Sequence, residues 1–141
     1  MSEELVFQFD VDGEDFTSAG QASVQVKKIL RRLGVSPETI RRVSIAMYEG
    51  EINMVIHANG GVAEVKVNED CIEIILADKG PGIKDINKAM QEGFSTASDQ
   101  TRSLGFGAGM GLPNMKRYTD SLEIESEVGV GTTVTMKVNL Q

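Results

Sequence analysis

The chain has 141 residues, of which 40% are hydrophobic and 25% are charged, a composition typical of one globular domain. Its formal net charge of −7 argues against nucleic-acid binding, because phosphate backbones attract basic surfaces. No apolar run approaches the roughly 20 residues that cross a bilayer, and the acidic start is unlike a secretion signal. We therefore expect one domain over residues 1–141, located in the cytoplasm, with neither nucleic-acid nor membrane partners.

The amino-terminal half predicts one strand followed by two helices. Apolar and polar residues alternate over residues 5–11, which is typical of a strand with one covered face. Thr17 or Ser18 is expected to cap a first helix, and Gly34 supplies its stop signal. A second helix is predicted over residues 37–58, because proline fits the first helical turn and glycines follow the last.

The next segment predicts a hairpin and then a loop. Strands are expected over residues 62–68 and 71–77, and the second should bury the single cysteine, Cys71, as inert core. Residues 84–92 fit a short helix. Residues 93–111 are rich in Gly, Ser and Thr with few apolar anchors, and we interpret them as a mobile lid.

The carboxyl-terminal part predicts a short helix over residues 113–119 and a pair of strands over 122–127 and 132–140. The order of all these elements favours an α+β fold. It would be a two-layer sandwich in which a mixed, largely antiparallel sheet carries its helices on one face.

The second predicted helix carries a polar stripe. Glu49, Asn53 and His57 are spaced at i, i+4 and i+8, so they share one narrow sector between two apolar flanks. A carboxylate and an amide placed there indicate a site, although an internal hydrogen bond between them is an equally weighted alternative. Glu51 falls on nearly the opposite side, next to Ser44, where we expect water.

Two glycine-containing segments add to this stripe. Asp78 follows a strand and precedes Gly80 and Gly82, so it could accept a hydrogen bond from an exocyclic amine, or simply form an Asp-Gly turn. Four glycines at every second position then lead directly into a helix, and such a loop lets backbone N–H groups approach phosphate oxygens. These four are Gly105, Gly107, Gly109 and Gly111. A flexible linker is the alternative.

Four sequence motifs, taken in order, resemble those of the ATPase superfamily of gyrase, heat-shock chaperones, histidine kinases and MutL, which has a Bergerat-type ATP-binding fold. They are Glu49 with Asn53, Asp78 with Gly80 and Gly82, the four alternating glycines from Gly105 to Gly111, and Gly131-Thr132. Within this superfamily, the chain is most similar to bacterial anti-sigma-factor and stress-switch serine kinases. The features that carry this resemblance are its short length and the segment Gly111-Leu112-Pro113-Asn114-Met115.

The resemblance implies roles for individual residues. Glu49 would be the catalytic base, Asn53 would ligate Mg²⁺, and Asp78 would recognise the adenine amine of ATP. Gly80 and Gly82 would shape the adenine pocket, and Thr132 would help hold the base through water. The remaining nucleotide-binding positions would be Gly105, Gly107, Gly109, Gly111 and Leu112.

The resemblance also implies a function, with alternatives left open. Glutamate at position 49 favours a hydroxyl acceptor, since histidine kinases usually carry asparagine there. The expected partner is an antagonist protein with a phosphorylatable Ser or Thr, together with a sigma factor or a phosphatase, and a homodimer is compatible. The alternatives are a nucleotide-switched anti-sigma binding module and the catalytic part of a histidine kinase.

A local basic cluster stands out against the acidic chain. It consists of Lys27, Lys28, Arg31, Arg32, Arg41 and Arg42. Such a cluster would either bind an acidic protein or merely form the solvent-exposed faces of two helices, and the second interpretation is the simpler one.

Overall fold

The computed structural model describes residues 4–12, 20–58, 60–80, 82 and 111–140. In chain order the elements are β1 (Leu5–Asp12), α1 (Gln21–Arg32), α2 (Pro37–Ala58), β2 (Gly60–Val67), β3 (Cys71–Ala77), α3 (Gly111–Arg117), β4 (Ser121–Glu127) and β5 (Gly131–Asn139). The strands form one sheet in the order β1-β2-β3-β5-β4, and each pairing is antiparallel. The predicted α+β sandwich with a largely antiparallel sheet is therefore confirmed.

One face of the sheet forms the core. Along β2, β3 and β5 alternate residues are buried, as expected for strands with one covered face. Helix α2 lies across this face, α1 packs beside it and towards β1, and α3 packs between α2 and β4. Leu30, Met47, Ile74, Met115 and Met136 are among the fully buried side chains at this interface.

The predicted elements agree with the observed ones to within a few residues, except at the start of α1. That helix begins at Gln21 after Gly20, which has a φ of +97° and provides no side-chain cap. The expected capping residues Thr17 and Ser18 lie outside the described residues, as do the helix over 84–92 and all of the lid over 93–111 except Gly111. Cys71 is half-buried on the sheet face opposite the core, so its assignment to the core was wrong.

The start of α1 is capped by a side chain from α2. Both carboxylate oxygens of Glu51 accept hydrogen bonds: Oε2 from the N–H groups of Gly20 (2.7 Å) and Ala22 (3.2 Å), and Oε1 from the N–H of Ser23 (3.0 Å). The Ser23 hydroxyl adds a fourth bond of 2.8 Å. Since the first N–H groups of a helix lack partners within the helix and attract negative charge, this carboxylate both satisfies them and stabilises the helix.

Glu51 corrects one expectation. The side chain was predicted to face water, yet it is only 2% exposed. The helical geometry was right about its side of α2, but that side is covered by α1. Within the described ranges, no helix is both long and apolar enough to cross a membrane.

Candidate nucleotide-binding site

Helix α2 presents Glu49 and Asn53 between apolar flanks, as its sequence predicts. Both side chains are partly exposed, whereas Ile52 and Met54 beside them are buried. Their spacing of four residues places them one turn apart on the same side of the helix. The side chain of His57, the third member of the predicted stripe, lies outside the described residues.

Glu49 has a partner that the sequence analysis missed. The side chain of Asn114, on α3, hydrogen-bonds the Glu49 carboxyl group. Burial raises the pKa of Glu49 above its ordinary value, and the bond from Asn114 opposes part of that rise. A carboxyl group with a raised pKa, beside solvent and held by an amide, has the character of a general base or acid.

A glycine allows α3 to come this close. A Cβ atom on Gly50 would clash with the Leu76 side chain and lie 3.3 Å from the Met115 sulfur. The absence of a side chain at Gly50 therefore lets β3 and α3 pack directly against α2 next to Glu49. Met115 directly follows Asn114 on α3, so this packing also sets the position of the Asn114 side-chain amide.

Asp78 is oriented by two backbone groups at the end of β3. Its Oδ1 accepts hydrogen bonds from the N–H groups of Gly80 (2.9 Å) and Thr132 (3.1 Å). The Asp78 N–H in turn donates to the Thr132 carbonyl at 2.9 Å. Oδ1 therefore forms the Asp-Gly turn, which was the simpler interpretation of the sequence. Oδ2 accepts no hydrogen bond from the described residues, so it can still accept one from an amine.

Thr132 lies beside Asp78 because β3 and β5 pair in register. It is 8% exposed, and its hydroxyl is 2.8 Å from the hydroxyl of Ser126, a second neighbour that the sequence did not reveal. Ser126 also donates to the Gly131 carbonyl at 3.3 Å. The two hydroxyls and the Asp78 carboxylate form a polar group at the end of an otherwise apolar sheet face.

Two glycines are required by close backbone contacts around this group. Gly82 has a φ of +80°, and a Cβ there would lie 2.5 Å from the Glu127 carbonyl oxygen. At Gly131, with a φ of +149°, a Cβ would clash with the carbonyl oxygen of Asp78. Both positions combine a left-handed backbone with no room for a side chain, so glycine is needed at each.

The Glu49–Asn53 pair on α2 lies on the same side of the sheet as the polar group of Asp78, Thr132 and Ser126. A Cβ on Gly61 would lie 2.6 Å from the Met54 methyl carbon and 3.0 Å from the Asp78 Cα, so these three residues meet. Met54 directly follows Asn53 on α2. The carboxyl-terminal half of α2 therefore passes over the end of β3, which carries Asp78.

Of the remaining predicted nucleotide-binding positions, some lie within the described residues and some outside them. Gly105, Gly107 and Gly109 lie outside the described residues, so the phosphate-binding role of that loop stays a prediction. Gly111 begins α3, and Leu112 is buried at 8% exposure. Gly80 donates to Asp78 as described above.

A metal site built only from protein side chains is not found in the described part of the chain, where no group of three or more His, Cys, Asp and Glu residues converges. Mg²⁺ in nucleotide sites is usually held by one or two protein oxygens together with phosphates and water. The amide oxygen of the partly exposed Asn53 fits such a ligand set.

The sheet order, the helical layer and the polar group at the sheet end are those of a two-layer α/β sandwich with a candidate site at one end of its sheet. The model of the histidine kinase-like ATPase domain family matches residues 14–138, and the chain belongs to that family. Its topology agrees with two solved structures of low sequence identity. The RsbU and RsbW domains of a Mycobacterium tuberculosis protein superpose with a TM-score of 0.66 at 16% identity, covering 95% of this chain and 32% of that one. The mycobacterial sensor histidine kinase MprB gives 0.54 at 15% identity, covering 96% and 97%.

Curated relatives are more similar in sequence. An anti-sigma F factor of Clostridium beijerinckii is 35% identical over 122 residues, which cover 82% of each chain. The serine/threonine-protein kinase RsbT of Bacillus subtilis is 32% identical over 112 residues, covering 77% of this chain and 78% of that one. An anti-sigma F factor of Caldanaerobacter subterraneus is 34% identical over 138 residues, covering 94% and 90%.

Proposed function

We propose that this chain is an ATP-dependent serine/threonine protein kinase that phosphorylates a small antagonist protein and so regulates a sigma factor or a stress-signalling pathway. The main support is the carboxyl group of Glu49, which has a raised pKa and is hydrogen-bonded by Asn114. Glu49 lies one helical turn before Asn53 on α2. Relatives named as an anti-sigma factor and as a serine/threonine kinase add support through their similarity over most of the chain. Such a protein would act in the cytoplasm as one domain.

Each residue then has a task. Asp78 would accept a hydrogen bond from the adenine amine through Oδ2, because Oδ1 is already held by Gly80 and Thr132. The hydroxyls of Thr132 and Ser126 would hold the base edge through water. Asn53 would hold Mg²⁺, which would neutralise charge on the phosphates, and the glycine-rich segment ending at Gly111 would wrap them.

Glu49 would act on the acceptor protein. Its carboxylate would take the proton of a serine or threonine hydroxyl as that oxygen bonds to the terminal phosphorus of ATP, and the bond from phosphorus to the ADP oxygen would break. Asn114 would keep the carboxylate in one orientation during this step. Because phosphoryl transfer depends mainly on positioning and charge neutralisation, few further groups are required.

The test of the base is phosphorylation, with radiolabelled Mg-ATP, of a purified small antagonist protein that carries the serine or threonine acceptor. We expect Glu49→Ala to lower the rate by about 100-fold or more while leaving nucleotide affinity within about twofold, since a positioned base contributes 10²–10⁴-fold. Glu38→Ala, an exposed acid in the first turn of the same helix, is the matched control. Undiminished transfer by the Glu49 variant would remove this residue from the role of base.

The stability of the product distinguishes the acceptor. Phosphoserine and phosphothreonine survive acid, whereas phosphohistidine does not, so an acid-stable phosphoprotein is expected. An acid-labile product would support the histidine kinase alternative. Release of an unmodified partner by nucleotide alone would support the anti-sigma binding module.

The test of adenine recognition compares ATP with inosine triphosphate, which has a carbonyl in place of the amine. In Asp78→Asn, one amide oxygen can still accept the bonds from Gly80 and Thr132, while the NH₂ group would face the adenine amine. We expect ATP affinity by calorimetry to fall at least about tenfold, and the preference for ATP over inosine triphosphate to disappear. Asp70→Asn in the exposed β2–β3 turn is the control. An unchanged preference would contradict the assignment.

A further inference from the structure

A groove of about 440 Å³ lies between α1 and the first half of α2. Three cationic side chains line it, together with four apolar residues and one hydroxyl. They are Lys27, Arg31 and Arg41; Val35, Pro37, Ile40 and Ile45; and Ser44. None of them is among the residues assigned to the nucleotide.

The charge of this surface is opposite to that of the chain. Six of the 14 basic residues lie between Gln21 and Arg42, a stretch with a single acid, Glu38, although the whole chain carries −7. Within the described residues Arg42 pairs with Asp120 at 3.2 Å, and the Arg41 guanidinium lies 5.6 Å from the centre of the Tyr118 ring. Lys27 and Arg31 form no ion pair with any described residue, so their charge remains available to a partner.

The groove also offers an apolar floor. The Ser44 hydroxyl in its wall is buried and has no hydrogen-bond partner among the described residues. Ile40 and Ile45 provide aliphatic surface beside it. Cations around an apolar floor are complementary to a peptide that carries both carboxylates and an aliphatic side chain.

The same features disfavour a nucleic acid. A phosphate backbone extends beyond a groove of this size and would meet the strongly acidic remainder of the chain. A short acidic peptide segment is confined to the basic region. The aliphatic floor would also leave a phosphate backbone without contacts.

We propose that this groove docks an acidic segment of a partner protein, with an aliphatic side chain on the floor formed by Ile40 and Ile45 and its carboxylates against Lys27 and Arg31. Ile45 precedes Glu49 by one helical turn, about 6 Å. A protein docked here would therefore have neighbouring residues close to Glu49. Identifying this partner with the acceptor of the phosphoryl group rests on the proposed function; the docking surface itself does not.

The experiment is an NMR titration of the full-length ¹⁵N-labelled chain with the peptide EDLLDELE. We expect amide shifts concentrated at the lining residues of the groove. Arg31→Glu should weaken binding about tenfold or more, because a carboxylate would then face carboxylates. Arg32→Glu is the matched control: it makes the same charge change in the same last turn of α1 but lies outside the lining, so its effect should stay below about twofold.

Several results would overturn the inference. They are an absence of shifts in the groove, equal losses in the two arginine variants, unweakened binding of the peptide EDSSDESE, and tighter binding of an eight-nucleotide oligothymidylate. Calorimetry with Mg-ATP separates this inference from the kinase proposal, since Arg31→Glu should bind ATP like the parent. Failure of every version to bind ATP would contradict the kinase proposal and leave the peptide result to decide the docking surface.

Discussion

Replacing Glu51 should destabilise the protein more than replacing any exposed acid on the same helix. Its carboxylate accepts four hydrogen bonds, three of them from backbone N–H groups at the start of α1, and it is 2% exposed. Glu51→Ala removes the acceptor and leaves those N–H groups buried, at about 1–3 kcal/mol for each group that water does not reach. Allowing water to reach one or two of them, we expect a loss of about 3–5 kcal/mol.

The charge and the packing of Glu51 can be separated. Glu51→Gln keeps the shape of the side chain but replaces one acceptor oxygen with an NH₂ donor, which would face N–H donors at 2.7–3.2 Å. We therefore expect Gln to restore little of the stability lost with Ala. With an unfolding entropy of about 0.3 kcal/mol/K for a chain of 141 residues, the loss expected for Glu51→Ala corresponds to a fall in Tm of about 10–17 °C.

Urea unfolding followed by circular dichroism at pH 7.5, together with thermal melting, measures both variants. Glu38→Gln is the control, because this exposed acid lies in the first turn of α2 and should contribute no more than about 1 kcal/mol. If Glu51→Gln were within about 1 kcal/mol of the parent, packing rather than the carboxylate would stabilise the start of α1, and our account of the cap would be wrong.

Two further predictions concern the site. Because burial raises the folded-state pKa of Glu49 above its unfolded value, ionising this group costs stability, and that cost grows as pH rises from the unfolded pKa through the folded one. Without nucleotide, Glu49→Gln should therefore have a higher Tm than the parent at pH 8, with the difference vanishing in acid; a difference independent of pH would contradict this. Gly82→Ala should lose about 2–3 kcal/mol in urea unfolding, from a left-handed φ of +80° and a Cβ 2.5 Å from the Glu127 carbonyl oxygen. Gly129→Ala, with a φ of +84° but open space around it, should lose only about 1 kcal/mol, and equal losses would rule out the steric part.

The local pattern of the chain was sufficient for most of the fold. Alternation predicted the strands, and proline and glycine signals predicted the bounds of α2, because these features depend on the period of one element and on the conformations open to single residues. The places of the candidate site residues on these elements were predictable for a similar reason. Glu49 and Asn53 are one turn apart on a helix, and Asp78 follows directly on a strand.

The environment of those residues was decided only by tertiary structure. Glu51 bonds to residues 28–31 positions away, and the Asp78 carboxylate bonds to Thr132, 54 positions away. The bond between Asn114 and Glu49 likewise joins two helices. Periodicity states which side of an element a residue occupies, but whether that side meets water or another helix depends on how the elements pack. For this reason the sequence determined the side of α2 on which Glu51 lies, and the packing of α1 determined that it is buried.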